Sequence, residues 1–262
     1  MARVLITGCS SGIGNATARL LAARGHEVTA TARDLAGIAD LPVARHLALD
    51  VTDAASVANA AAMAGEVDVL INNAGLAMWG PTELCDIERV DRLMQTNVLG
   101  VVRMAQAVLP GMRARRSGRI IQISSGAARR PQPLVGLYCA SKAALESLSL
   151  ALRIEMRPFG VKVAVVGMGA IHSNIDRNRW TADAAGTDYA PMMGAMLDRV
   201  GTLRAQAYSA EEAAEVVASV VEAEDPPFRT YVGAAFAAGL AEMAALDDAA
   251  YEERLLATYL AT

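Results

Sequence analysis

Cysteine, aromatic residues and charge of one sign are all scarce in this 262-residue chain, and each scarcity excludes something. Three cysteines, Cys9, Cys85 and Cys139, are too few and too scattered for a disulfide framework or a paired-cysteine metal site. No metal site is expected, and the free thiols fit a reducing cytoplasm. Aromatic residues make up 4%, too few for a surface that stacks single-stranded bases. Twenty-eight acids against 24 bases give a net charge of −4, so nothing pulls nucleic acid or anionic lipid from a distance. No apolar run reaches the roughly 18 residues that a spanning helix needs. The apolar start, Val4-Leu5-Ile6, breaks at once into glycine and serine, which argues against a signal peptide.

What is present is apolar bulk. Hydrophobic residues make up 53% and charged residues 20%, enough to build a real core. Short β-branched runs alternate with alanine-rich stretches of helical period. Strands are expected at Val4–Ile6, Val28–Ala32, His46–Leu49, Val67–Ile71, Arg119–Ile123, Val161–Val166 and Thr230–Val232. Helices are expected at Ile13–Arg24, at Asp53–Ala64 with Asp53 as N-cap, from Cys85 to Arg115 with a break near Asn97–Gly100, at Leu137–Arg157 and at Ala210–Glu224. Strands apolar throughout, spaced by helices, indicate a parallel sheet covered on both faces. The expected fold is therefore α/β, a Rossmann-like doubly wound sheet in one domain, with ligands at the carboxyl ends of the strands. Residues 1–125 form mainly the cofactor half. Residues 126–262 carry the catalytic helix, a loop over 171–209 that lacks periodicity, and a helical tail from Gly239. Such a loop is either a functional lid or a plain surface excursion.

The first strand runs into Thr7-Gly8-Cys9-Ser10-Ser11-Gly12-Ile13-Gly14. Glycines at this spacing let the backbone turn sharply and approach a pyrophosphate, which the following helix N-terminus attracts. The same turn serves equally as a tight turn with no ligand. The second strand ends Thr31-Ala32-Arg33, where a cofactor with a free ribose hydroxyl meets an acid. Arg33 suits a 2′-phosphate instead, so NADP is favoured with NAD still open; the alternative is a surface pair with Asp34. Asp50, followed by Val51, either accepts from an adenine amine or caps a turn with Thr52. Asn72-Asn73-Ala74-Gly75 closes the fourth strand, its amides able to bridge strand ends and Gly75 able to admit a ribose.

Tyr138-Cys139-Ala140-Ser141-Lys142 places Tyr138 and Lys142 one helical turn apart. A free phenol has a pKa of about 10 and is a poor base at neutral pH. A lysine charge at roughly 5 Å favours phenolate by about 3 kcal/mol at an effective dielectric near 20, an upper bound because burial also discharges lysine. That would bring the phenol near neutrality. Ser125 stands thirteen residues earlier at a strand end, placed to donate to the same substrate oxygen. A bare tyrosine–lysine spacing is also common on ordinary helix surface.

Together these motifs resemble the short-chain dehydrogenase/reductase family, from Arg3 to about Gly169 and more loosely to Val232. The turn, the Thr-Ala-Arg strand end and the Tyr138 motif look most like its NADP-preferring hydroxysteroid and retinol dehydrogenase branch. The resemblance implies that Tyr138 is the general acid/base, that Ser125 polarises the reacting oxygen, and that Lys142 binds the nicotinamide ribose and lowers the tyrosine pKa. It implies that Asn97 kinks its helix and holds a water relaying protons to Lys142. Gly169, Ile171 and Ser173 would meet the nicotinamide end. The chain departs from the family at Met168, where proline is usual, and this would free the loop and leave a backbone N–H to satisfy. His172 reads as a loop side chain near the phosphates or as a second acid/base. Met78, Trp79, Trp180, Met192, Met193 and Met196 either line an apolar substrate pocket or pack the loop itself. The expected activity is reduction of a lipophilic ketone or aldehyde, or oxidation of the matching alcohol. A cofactor-binding sensor without turnover is the alternative; a lyase-like relative fits badly, since those put arginine where Lys142 stands. By analogy the family assembles as dimers or tetramers. Arg113, Arg115, Arg116 and Arg119 form a basic patch read as a solvated helix end.

Overall fold

The computed structural model describes residues 1–172, 179–205 and 207–260. Among them the strands are β1 (Arg3–Ile6), β2 (Glu27–Ala32), β3 (Arg45–Ala48), β4 (Val69–Asn72), β5 (Met78–Trp79), β6 (Gly118–Ser125), β7 (Val161–Met168), β8 (Trp180–Thr181) and β9 (Arg229–Tyr231). The helices are α1 (Gly12–Ala23), α2 (Ala54–Ala64), α3 (Ile87–Met94), α4 (Gly100–Ala114), α5 (Gly136–Met156), α6 (Ala190–Arg204), α7 (Ala210–Glu222), α8 (Ala234–Ala244) and α9 (Asp248–Tyr259). Seven strands form one parallel sheet in the order β3-β2-β1-β4-β6-β7-β9. The chain winds outward from β1 in both directions, so a crevice opens at the carboxyl ends of β1 and β4.

Strand residues alternate between two cores. Val4 and Ile6 face α1 and α7 with Leu21, Ile71, Ile121 and Val217. Leu5 faces α2 and α4 with Val57, Leu70, Met104, Met112 and Ile120. Burying each Leu, Ile or Val side chain contributes about 1.5–3 kcal/mol, and both faces need it, which is why these strands are apolar throughout.

The structure corrects several expectations. β4 begins at Val69, not Val67; the Asp68 Oδ2 just ahead of it accepts the Arg3 backbone N–H at 2.9 Å and its Oδ1 the guanidinium at 2.7 Å. The loop over 171–209 contains β8 and the fifteen-residue α6, whose buried residues are only Met193 and Met196, too narrow a stripe to read as a period. It returns to its origin: Ile171 bridges Tyr208, and the His172 N–H donates to the Tyr208 carbonyl at 2.8 Å. Met168 does not free the chain. It continues β7 in register with Ser125, its side chain in the first core. The tail turns helical at Ala234, not Gly239. The arginine patch is solvated only in part: Arg113 and Arg116 are exposed, whereas Arg115 and Arg119 are half-buried. Arg119 donates to the carbonyls of Val220, Val221 and Ala223 at the end of α7, Arg115 to Val67, Arg116 to Pro158, and Arg113 lies over the Phe159 ring. No described helix is long and apolar enough to cross a membrane, and the described residues hold no cluster of metal-binding side chains.

Candidate active site

The turn after β1 exists because β4 braces it. The Asn73 Nδ2 donates to the carbonyls of Thr7 and Gly8, both at 2.9 Å, and the backbone N–H groups of Asn73 and Ala74 both donate to Thr7 Oγ1 at 3.0 Å. That closeness excludes side chains. Gly8 has φ +75°, and a Cβ there would lie 2.9 Å from the Ala74 Cα. A Cβ at Gly14 would lie 2.4 Å from both Asn73 Nδ2 and the Gly8 carbonyl. Ser11 opens α1 without a side-chain cap, and the first turn has no acid, so its N–H groups stay available to an anion.

Arg33, at the end of β2, lines the cleft and makes no ion pair among the described residues. The alternative pairing with Asp34 is not formed; Asp34 instead accepts from the Ala36 N–H at 2.9 Å. Asp50 takes the Thr52 N–H at 2.9 Å and its hydroxyl at 2.7 Å, the capping arrangement, while also lining the cleft. Burial pushes its carboxyl up, but the Thr52 bonds and the charges of Arg33 and Arg92 outweigh this and hold it below the usual value.

On the other side, α5 carries Tyr138 and Lys142 on one face. Ser125, at the end of β6, lines the same cleft as the phenol, and its hydroxyl accepts the Ala127 N–H at 3.2 Å. Lys142 is 6% exposed; its Nζ donates to the Ile123 carbonyl at 2.9 Å and lies 6.0 Å from the Tyr138 ring centroid. Between Met94 and Gly100 the helix widens into a π-turn over Gln95–Leu99, the expected break. Asn97 in that turn is 1% exposed, so it does not face solvent. Its Oδ1 accepts the Leu76 N–H at 2.8 Å, and its Nδ2 donates to the Leu76 carbonyl at 2.9 Å and to Ser141 Oγ at 3.0 Å. Both amide protons are thus engaged, while Oδ1 can still accept a second bond.

Proton affinities depart from expectation. Burial pushes the Tyr138 phenol up to about 12, only partly offset by Ser125, and the phenol is not near neutrality. Burial also pushes Lys142 down to about 8, opposed by Glu146. Lys142 is not among the groups that shift the phenol; its Nζ is bonded to the Ile123 carbonyl. Both shifts run in the direction that burial imposes, favouring the neutral forms.

Gly8, Ser10, Ser11, Gly12, Ile13, Arg33, Asp50, Val51, Asn73, Ala74, Gly75, Ser125, Tyr138, Lys142, Gly169 and Ile171 all line one cleft of about 250 Å³. Gly14 and Asn97 stand behind its wall, and Ser173 lies outside the described residues. His172 is exposed and not part of the lining. Sequence reasoning missed Arg92 and Thr96, which also line the cleft. They stand one helical turn apart ahead of Asn97, Thr96 Oγ1 donating to the Arg92 carbonyl at 2.9 Å, and that spacing was the available signal. Of the six apolar candidates for a substrate wall, Met193 and Met196 pack with Leu134, Ala184 and Tyr259, the packing alternative. Met78 and Trp79 pair with β8 beside them.

A glycine cradle closed to any Cβ, uncapped N–H groups and an unpaired cation fit a dinucleotide. The sequence profile of the short chain dehydrogenases matches residues 2–184. The chain belongs to that family. A 3-ketodihydrosphingosine reductase from Bacteroides thetaiotaomicron is 39% identical, covering 88% of this chain and 87% of the relative. Human 17-beta-hydroxysteroid dehydrogenase type 1 is 42% identical over 65% of this chain, which spans only 57% of that enzyme. Among solved structures, a short-chain dehydrogenase from Streptomyces avermitilis superposes with a TM-score of 0.86 at 32% identity, over 99% of this chain and 97% of the other. One from Burkholderia cenocepacia, in complex with NADP, gives 0.79 at 28% identity over 98% and 99%. This short-chain dehydrogenase is accordingly an oxidoreductase acting on a CH–OH group with a nicotinamide cofactor.

Proposed function

We propose that the protein interconverts a lipophilic ketone or aldehyde with the corresponding alcohol, using NADP(H), with Tyr138 as general acid/base. The observation that carries this is that Ser125, Tyr138 and Lys142 line one cleft, with Lys142 Nζ 6.0 Å from the Tyr138 ring centroid. In the reducing direction Tyr138 Oη gives its proton to the carbonyl oxygen. Ser125 Oγ donates to that oxygen and polarises the bond. The Lys142 ammonium stabilises the phenolate left behind. Asn97 holds Leu76 and the π-turn in place around them. The dinucleotide, when bound, supplies or takes up the hydride. Gly8, Ser10, Ser11, Gly12 and Ile13 would hold its pyrophosphate, with Gly14 letting α1 approach; Asp50 and Val51 its adenine, Asn73, Ala74 and Gly75 its ribose, and Gly169, Ile171 and Ser173 its nicotinamide.

Support for NADP is Arg33, a cleft cation that makes no ion pair among the described residues. Support for an apolar substrate comes from relatives named for a ketosphingoid base, a hydroxysteroid and retinol; none of Met78, Trp79, Trp180, Met192, Met193 and Met196 lines the cleft itself. The free thiols of Cys9, Cys85 and Cys139 favour a reducing cytoplasm. Exposed Leu148 and Ile154 on α5 favour assembly into a homodimer or homotetramer.

The test is a panel of ketones and alcohols followed by nicotinamide absorbance, with Tyr138→Phe alongside. The variant should bind NADPH as the parent does and lose turnover by a factor of about 10²–10⁴. Undiminished turnover would remove Tyr138 from its role, and a parent that binds NADPH but turns over nothing would point to a sensor.

A further inference from the structure

One buried carboxylate joins three parts of the molecule and has no part in the reaction as derived so far. Glu146 is 3% exposed, one turn beyond Lys142 on α5. A carboxylate so buried is costly unless its oxygens are paired. Its Oε1 accepts from Ser124 Oγ at 2.9 Å and its Oε2 from Arg229 Nε at 2.7 Å. Ser124 lines the cleft as the neighbour of Ser125, and Arg229 opens the edge strand β9. Tyr138, Lys142 and Glu146 follow one another at four-residue intervals, on one face of the helix.

We propose that Glu146 is a positioning residue for the reaction: its buried carboxylate, one helical turn from Lys142 and anchored by Ser124, is the counter-charge to the ammonium beside Tyr138. This rests on the acid/base reading of Tyr138 and Lys142 given above. The Lys142 ammonium is desolvated, and burial favours loss of its proton. Its bond to the neutral Ile123 carbonyl leaves it without a charged partner in contact; Glu146 is the negative charge that acts on it. Other titratable groups around the pair are Tyr138 and Cys139 on α5, Arg229 and Tyr231 on β9, and Arg129 after β6. Arg229 offsets part of the Glu146 charge, so the two variants below act in opposite directions.

The sequence makes the test direct, because its only lysines are Lys142 and Lys162. Lys162 lies on β7, its Nζ bonded to the Glu224 carbonyl. In a Lys162→Arg background, ¹³C-labelled lysine reports Lys142 alone. Glu146→Gln should lower the Lys142 titration midpoint by about one pH unit and carry the alkaline limb of kcat/KM for carbonyl reduction down with it. Glu146→Asp, which keeps the charge, should titrate above the Gln variant. If Glu146→Gln does not fold, Arg229→Gln carries the test: it frees the carboxylate's charge and should raise the midpoint. A midpoint unmoved in Glu146→Gln, or in Arg229→Gln where that is the variant measured, overturns the proposal. Tyr138→Phe separates the two readings. A dead Tyr138→Phe with an unmoved lysine sinks only the role of Glu146, while full turnover in Tyr138→Phe sinks the acid/base reading and leaves the lysine titration standing.

Discussion

Asn97 satisfies both backbone polar groups of Leu76, taking its N–H at 2.8 Å and giving a proton to its carbonyl at 2.9 Å. A side chain that does this mimics a strand partner, and it pins the loop after β4 to the π-turn. Asn97→Leu keeps the volume and leaves the Leu76 groups and Ser141 without this partner. Each unsatisfied group costs about 1–3 kcal/mol, so a loss of about 3 kcal/mol in stability is expected together with a large fall in turnover. Urea midpoints and initial rates check both; a variant as stable as the parent would show that the loop holds itself.

Gly14→Ala should separate folding from nucleotide binding only poorly, because the two share atoms. The new Cβ would lie 2.4 Å from Asn73 Nδ2, and moving that amide breaks its bonds to Thr7 and Gly8. Overpacking of this kind costs about 1–3 kcal/mol. NADPH affinity by fluorescence titration should fall at least about tenfold, the equivalent of about 1.4 kcal/mol. Unchanged affinity would mean that the turn tolerates a wider spacing than these contacts indicate.

Arg33→Ser addresses cofactor choice. Loss of charge-assisted bonds to a 2′-phosphate is worth about 1.5–3 kcal/mol, so kcat/KM with NADPH should drop about 10–100-fold while NADH is untouched. An equal loss with both cofactors would assign Arg33 to the fold instead.

Acid stability should depend on Asp68. The bonds from Arg3 hold its carboxyl below the usual range, against the effect of burial. A depressed folded-state pKa means that the contribution is complete above the unfolded value of about 3.9 and is lost as pH falls through the folded one. Asp68→Asn should therefore melt below the parent at pH 7, and the gap should narrow below about pH 4. Melting curves across that range decide it; a gap independent of pH would assign the effect to packing.

How much of this was legible in the sequence depended on the kind of signal. Strands such as Val161–Met168, apolar on both faces, announce a covered parallel sheet because no other arrangement buries them. Thr7–Gly14, Asn73 and the Tyr138–Lys142 spacing announce a cleft because backbone approach and helical period are local. What was hidden was long-range or cumulative. α6 buries two methionines among glycines and charges, and no window of sequence shows a stripe. Arg119 looked solvated because the carbonyls of α7 that receive it come about a hundred residues later. The proton affinity of Tyr138 was misjudged for the same reason: spacing reveals a neighbouring charge, whereas desolvation depends on everything packed around it.

The brace between Thr7 and Asn73 has a consequence for the order in which the protein is made. The residues that shape the nucleotide cradle leave the ribosome first, but the amide that fastens them follows 66 residues behind. A nascent chain that has not yet exposed β4 carries the glycine bend without its fastening. Contacts of such sequence separation form slowly. NADPH should thus give no protection to early translation products against proteolysis, and begin to do so only once the fourth strand is in place.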